Sequence, residues 1–430
     1  MGQQGAQHIG QDAAEGGRLR ALRRRGRDRQ ALSRLALLWL AGFNLRATLL
    51  ALPPLLPLVS SRLHLDQTAV GALTNLPVLL LGVAAVAGSF IIGRLGTRRA
   101  LIAGLLVEAT AGALRGVGES TTILFSLTFA MGIGIAVMQP ALPTLVREWL
   151  PGSVGTATAV YGNGLLVGEA LAASVTLPFV LPATGSWPAS LAIWSGPAVV
   201  AAMFVLAARP AALIAGATPT AALPAAQGPA TSPAPRRARI WPDWRSGRTW
   251  KLGLVQGGAS TAYFATNTFL PGYLHAIGHP GLVSVTLTAL NVSQLPASAL
   301  LLAFSRHLVG RRWPLVSLGL LLVAATAGLL ASPAPALLAP VVVIGFCTSM
   351  ALLLALALPA LWCTADEVPR VSAGMFTVGY CMAFVLPLLG GIASDASGSL
   401  GVTLVPALAG AAIMAAAATS FGGRASPAPA

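Results

Sequence analysis

Charge is scarce in this chain. Only 9% of its 430 residues are Asp, Glu, Lys or Arg, against roughly a quarter in a soluble domain. Apolar residues make up 55%, and the mean hydropathy is +0.77. A water-soluble core with an ordinary polar surface is therefore excluded. Cysteine is nearly missing: Cys347, Cys363 and Cys381 show no metal or redox spacing and read as small buried apolar residues. There is no HExxH, no nucleotide loop, no cluster of His or Cys and no carboxylate pair at catalytic spacing. Nothing points to an enzyme, a cofactor or a metal. A ring-forming channel filter is missing too. The first apolar run follows a polar, Arg-rich stretch too long for the n-region of a cleavable signal peptide, so the first helix is expected to remain in the membrane.

What the chain has is apolar runs of membrane-spanning length, almost end to end. Read against Pro, Gly and charge punctuation, they predict helices near 34–60, 67–93, 99–117, 120–145, 152–179 and 187–208. A second set is predicted near 250–275, 281–305, 312–332, 335–362, 370–394 and 399–421. The expectation is an all-α membrane protein of twelve transmembrane helices, with six-helix bundles over 32–208 and 250–421. Residues 1–31 read as a disordered basic N-terminus and 209–249, rich in Ala, Pro and Thr and then Arg, as a flexible linker. Residues 422–430 form a short tail.

The net charge of +15 might suggest nucleic acid, but no basic stripe with interleaved aromatics is present. Lys and Arg fall instead in segments that share one side of the membrane when both termini are inside. The exceptions are Arg46 within the first helix and Arg62 and Arg115 in segments assigned to the outer side. That asymmetry predicts cytoplasmic termini in an inner membrane. The halves also repeat: Arg98-Arg99 returns as Arg311-Arg312 and Gly185-Ser186 as Gly398-Ser399, both at an offset of 213. Parallel repeats place a substrate site at the midplane between the halves.

The loops Gly93-Arg94-Leu95-Gly96-Thr97-Arg98-Arg99 and Ser305-Arg306-His307-Leu308-Val309-Gly310-Arg311-Arg312 resemble the basic gating-loop signature of the major facilitator superfamily. The acidic residue of that signature is missing from both copies. Asn44-Leu45-Arg46 followed by Pro54-Leu55-Leu56-Pro57, with Leu270-Pro271-Gly272-Tyr273, Leu295-Pro296-Ala297-Ser298, Gly185-Ser186-Trp187 and Asp395-Ala396-Ser397-Gly398-Ser399, resembles the cyanate and nitroimidazole permease branch. Ala47 stands where that branch often has proline. The resemblance covers most of 34–421. It implies the major facilitator fold, a monomer, and alternating-access transport of a small solute such as cyanate or a nitroimidazole-like heterocycle.

Ionisable residues within the hydrocarbon are costly and default to functional candidates. Three lie mid-span: Arg46, Glu108 and Glu169. The Arg46 fork suits an anion or an electron-rich planar substrate; the alternative is a structural ion pair with Glu169 or Glu108. Glu169, on a helix whose Gly164, Gly168 and Ala172 form a small-residue stripe, is a candidate for proton coupling, again with an ion pair as the alternative. Glu108 reads as a structural residue with an unnamed partner. Gln139, Tyr161, Asn163, Gln256, Tyr263, Asn291 and Gln294 are candidates to line a wet site, with Asn267, Thr377 and Tyr380 as further polar groups. The pairs Gln256/Tyr263 and Asn291/Gln294 are preferred, since each shares one helix face. His64, His275 and His279 sit near outer helix ends and read as solvated.

Three other functions remain open. Export of drug-like molecules is one, although the Gly-Pro signature of drug antiporters is missing around Gly164–Pro178. A membrane-embedded enzyme and a non-transporting sensor or scaffold are the others; a sensor would bind substrate without flux.

Overall fold

The computed structural model describes residues 30–83, 85–207, 241–364 and 367–421. The expected N-terminal segment up to residue 29, most of the linker (208–240) and the tail from residue 422 lie outside the described residues, as does the side chain of Arg306. The described chain is helical throughout, with no strand.

Its helices are α1 (Gln30–Leu63), α2 (Gln67–Val83), α3 (Ala85–Leu95), α4 (Thr97–Leu114), α5 (Thr121–Trp149), α6 (Val154–Thr184) and α7 (Trp187–Ala207), then α8 (Gly247–Ala276), α9 (Leu282–Val292), α10 (Gln294–Leu308), α11 (Arg312–Ala331), α12 (Leu338–Trp362), α13 (Val368–Ser397) and α14 (Leu400–Thr419). Eight of the described helices are long and apolar enough to cross a membrane on their own: α1, α5, α6, α7, α11, α12, α13 and α14. The polar face of α8 and the arginines of α4 lower the hydropathy of those two helices.

Proline shapes α1. The ladder of the first segment stops at the bond from Ala51 N to the Ala47 carbonyl (3.1 Å); Pro53 and Pro54, with no N–H, cannot resume it on Leu49 and Leu50, and the chain restarts as a 3₁₀ turn at Pro53–Leu55. In α6, Pro178 sits inside a π turn, Thr176–Val180.

The repeat is visible in geometry. Gly185 and Gly398, 213 residues apart, both end helices in the left-handed conformation at φ +69°, where only glycine is free of steric cost. Arg34 Nη1 donates to the Trp149 carbonyl (2.7 Å) at the end of α5, and Arg248 Nη1 donates to the Trp362 carbonyl (2.8 Å) at the end of α12. Arg98 Nη2 donates to the carbonyls of Val205 (2.8 Å) and Leu206 (3.2 Å) at the end of α7, and Arg312 Nη1 to that of Phe421 (3.4 Å), just past α14. In each half, arginines thus satisfy the last carbonyls of two helices and oppose their negative dipole ends.

Arg115, in a segment assigned to the outer side, follows α4 directly and is 1% exposed, among the largest fully buried side chains. Its partner is the broken end of α1, where Arg115 Nη2 donates to the Thr48 carbonyl (2.7 Å).

The two halves meet along α2/α13, α2/α8 and α6/α9–α10. Asp395, at the end of α13, accepts from the backbone N–H of Gln67 (2.9 Å) and Thr68 (2.8 Å) and from the Thr68 hydroxyl (2.5 Å), capping α2 from the opposite half. Deeper, Thr268 bonds to Thr74 (3.2 Å) and Asn75 (3.3 Å), and the Thr377 hydroxyl donates to the Gly82 carbonyl (3.0 Å). Among the described residues, hydrogen bonds between the halves lie between this end and the middle of the bundle, away from the basic loops.

Candidate functional site

Small residues bring the charges together. A Cβ on Gly42 would run into the Tyr161 carbonyl, one on Gly164 into that of Trp39, and one on Gly168 into that of Phe43. The backbones of α1 and α6 therefore touch along this stripe, as small-residue interfaces in membranes do. Arg46 lies one turn beyond Gly42, and Glu169 follows Gly168. Close packing of the two helices sets Arg46 Nε 3.4 Å from Glu169 Oε1, both side chains being almost completely buried.

The second half completes the site. Gln294 Nε2, at the start of α10, donates to Glu169 Oε2 (2.9 Å). The Tyr263 hydroxyl donates to Asn291 Oδ1 (2.5 Å), Asn291 Nδ2 donates to Asn267 Oδ1 (3.1 Å), and Asn267 Nδ2 to the Tyr263 carbonyl (3.1 Å). The break in helix at Ser293 between α9 and α10 lets Asn291 and Gln294 face this cluster together. The Arg46 guanidinium stands 5.3 Å from the centre of the Phe264 ring, a cation–π contact.

Arg46, Glu169, Tyr263, Phe264 and Gln294 border a cleft between the halves whose wall also includes Ser260, Thr348, Ser349 and Leu352. Its volume is ≈ 20 Å³. A water needs roughly 10–15 Å³ by the same measure, and drug-sized ligands occupy roughly 300–1,000 Å³. One feature of the cleft is unbalanced. Arg46 Nη1 is buried without a hydrogen-bond partner within 3.5 Å among the described residues, Tyr380 lying beside the same guanidinium, while both Glu169 oxygens are engaged. A buried, unused guanidinium N–H is expensive, and an acceptor entering the cleft relieves that cost.

The structure thus gathers Arg46, Glu169, Tyr263 and Gln294 around one space, with Asn291 buried behind them on Tyr263 and Gln294. Gln256 is buried one turn away, with Nε2 on Ser260 Oγ (3.1 Å) and Oε1 without a partner among the described residues. Asn163 is exposed and accepts from Trp39 Nε1 (3.0 Å), and Tyr161 is half-buried two turns below Glu169. Gln139 is half-buried on α5 and is not among the residues lining the cleft. Of the basic loop residues, Arg94 stacks on Phe90 (4.3 Å), Arg98 and Arg312 hold helix ends as described, and Arg99 and Arg311 are exposed. Phe264, Ser260, Thr348 and Ser349 were not expected at the site. Thr348-Ser349 is a polar step within an otherwise apolar α12, a signal that hydropathy averaging hides.

Glu108 acquires partners too. Its Oε1 accepts from the Thr48 hydroxyl (2.8 Å), and the same residue's carbonyl takes the bond from Arg115.

Residues 38–306 match the model of the Major Facilitator Superfamily. The Escherichia coli (strain K12) cyanate transport protein CynX is 28% identical over 372 residues, which is 85% of this chain and 91% of that protein. The 2-nitroimidazole transporter of the same organism is 27% identical, over 84% of this chain and 88% of that protein. Among solved structures, a bacterial homologue of the lysosomal transporter Spinster in an inward-facing and occupied conformation superposes with a TM-score of 0.66 at 14% identity, covering 93% of this chain and 99% of that one. A D-xylose–proton symporter gives 0.65 at 13%, covering 89% and 97%.

Proposed function

Because this chain belongs to the major facilitator superfamily, and so is a multi-pass secondary transporter of small solutes, we propose that its solute is a cyanate-like small anion or a nitroimidazole-like planar heterocycle. The relatives named for cyanate and 2-nitroimidazole support this class. The observation that carries it is the buried Nη1 of Arg46, without a hydrogen-bond partner among the described residues, at the wall of the cleft between the halves. A guanidinium fork suits an anion or the oxygen pair of a nitro group, and Phe264 and Tyr263 offer ring surface to a flat solute.

The anion and Glu169 compete for one cation. An anion that takes Arg46 releases Glu169, and a carboxylate left unpaired in the bundle then binds a proton. One anion and one proton would cross together, giving symport with no net charge moved. A heterocycle would bind the free Nη1 and leave the ion pair intact. Export of drug-like compounds is disfavoured by the missing Gly-Pro signature around Gly164–Pro178.

Each pair α2/α3 and α9/α10 acts as one interrupted crossing, so the chain spans the cytoplasmic membrane twelve times. The basic loops lie inside with both termini. The Asp395 cap and the Thr268 contacts then close the outer side, and the cleft opens inward, one stage of alternating access. Uptake into liposomes tests the solute. Saturable uptake of labelled cyanate or 2-nitroimidazole supports this reading, and flux of neither sinks it.

A further inference from the structure

We propose that Arg115 and Glu108 are positioning residues which clamp the break in α1 and thereby hold Arg46 at the cleft; the proposal rests on the reading of Arg46 as the substrate-binding cation. The break begins where Pro53 and Pro54 remove donors from α1. The last ladder bond of its first segment reaches the Ala47 carbonyl, and the next carbonyl, Thr48, is taken by Arg115 Nη2 at 2.7 Å. The Thr48 hydroxyl donates to Glu108 Oε1 at 2.8 Å. Backbone and side chain of one residue are therefore gripped by Glu108 of α4 and by Arg115, its C-cap seven residues on.

Successive residues turn by about 100° around a helix, so Thr48 and Arg46 project roughly 200° apart. The clamp holds the back of α1 while Arg46 points from its front into the cleft. A cation at the carboxyl end of the first α1 segment also opposes that segment's dipole. Arg115 Nη1 rests on Met131 Sδ (3.4 Å) of α5, which fixes the guanidinium from behind.

Simple stabilisation explains this arrangement poorly. Arg115 and Glu108 form no ion pair within 4.0 Å, and Arg115 Nε and Glu108 Oε2 are buried without hydrogen-bond partners among the described residues. Apolar residues of similar volume commonly hold helices together as well or better than such groups. What the charges supply is a fixed point on α1, two residues from the binding residue. A displacement of ~1 Å at a binding group is enough to cost orders of magnitude in efficiency.

The test is the double variant Arg115→Met/Glu108→Gln, which removes both charges together so that neither is left uncompensated. Reconstituted in liposomes, it should transport cyanate or 2-nitroimidazole with KM raised about tenfold or more, by the sensitivity just given. Vmax per folded carrier should stay within about threefold. Arg115→Lys, which can still donate to the Thr48 carbonyl, should recover most of the wild-type KM. A merely structural role predicts the reverse: fewer folded carriers, lower Vmax and unchanged KM, which would overturn the proposal.

A second measurement needs no transport. Spin labels at Leu32 and Ser61, exposed near the two ends of α1, report its bend by electron–electron resonance in detergent. The double variant should shift or broaden that distance by several Å, on the order of one helical turn; an unchanged distribution would overturn the clamp. If wild type carries neither solute, the substrate reading fails on that result alone, while the distance still decides the clamp.

Discussion

Asp395 joins the two halves at the end opposite the basic loops, and its loss should loosen that end by a calculable amount. The carboxylate accepts three hydrogen bonds from Gln67 and Thr68, at 2.9, 2.8 and 2.5 Å. Asp395→Asn keeps one acceptor but removes the charge. Bonds to charged groups contribute about 1.5–3 kcal/mol and neutral ones about 0.5–1.5, so the substitution forfeits about 2 kcal/mol before screening. Asp395 is exposed, and solvent reduces such terms, leaving about 1 kcal/mol. That shifts the equilibrium between closed and open outer ends about fivefold, since 1.4 kcal/mol is tenfold. Thr74 is buried at the interface beneath the cap, within bonding distance of Thr268. With Cys347, Cys363 and Cys381 replaced by alanine, Thr74→Cys should react with a membrane-impermeant maleimide about fivefold faster when Asp395 is asparagine. Reaction at an unchanged or slower rate would refute the assignment of Asp395 as an outer latch.

Three further outcomes follow from the same geometry. Gly168→Leu forces α1 and α6 apart at the Phe43 carbonyl, so it should destabilise the carrier by about 1–3 kcal/mol, read as a fall of several degrees in thermal midpoint in detergent. Gly185→Ala and Gly398→Ala each place a Cβ in a left-handed residue at φ +69° and should cost about 1–2 kcal/mol apiece; a strong effect at one site and none at the other would deny them equivalent roles. Glu169→Gln should leave solute exchange intact and abolish accumulation driven by a proton gradient; accumulation that persists shows the carboxylate is not the coupling group.

Much of this architecture is legible along the chain because it is local. Helix limits follow from apolar runs, and Gly185 and Gly398, at an offset of 213, appear as matching helix ends. The Gly164/Gly168 stripe could be read because small residues four apart need no partner to be recognised. The Arg46–Glu169 pair was one of two pairings the sequence allowed, and close packing of α1 on α6 selects it over Glu108. The Gln294 bond to Glu169 could not be foreseen, because it exists only once the halves dock. The partner of Arg115 is hidden for a similar reason: the Thr48 carbonyl it holds lies at the break of another helix. Tyr161 and Asn163 share the helix of Glu169, and their distance from the cleft follows from how α6 runs along α1.

The assignment of Arg46 as the solute-binding cation is tested most directly by uptake of labelled cyanate into liposomes, with and without an imposed proton gradient. Wild type is compared with Arg46→Gln/Glu169→Gln, which avoids leaving either charge buried alone. Saturable uptake by wild type, stimulated by the gradient, and its loss in a double variant of unchanged thermal midpoint are expected. Full uptake by that double variant would contradict the role given to Arg46.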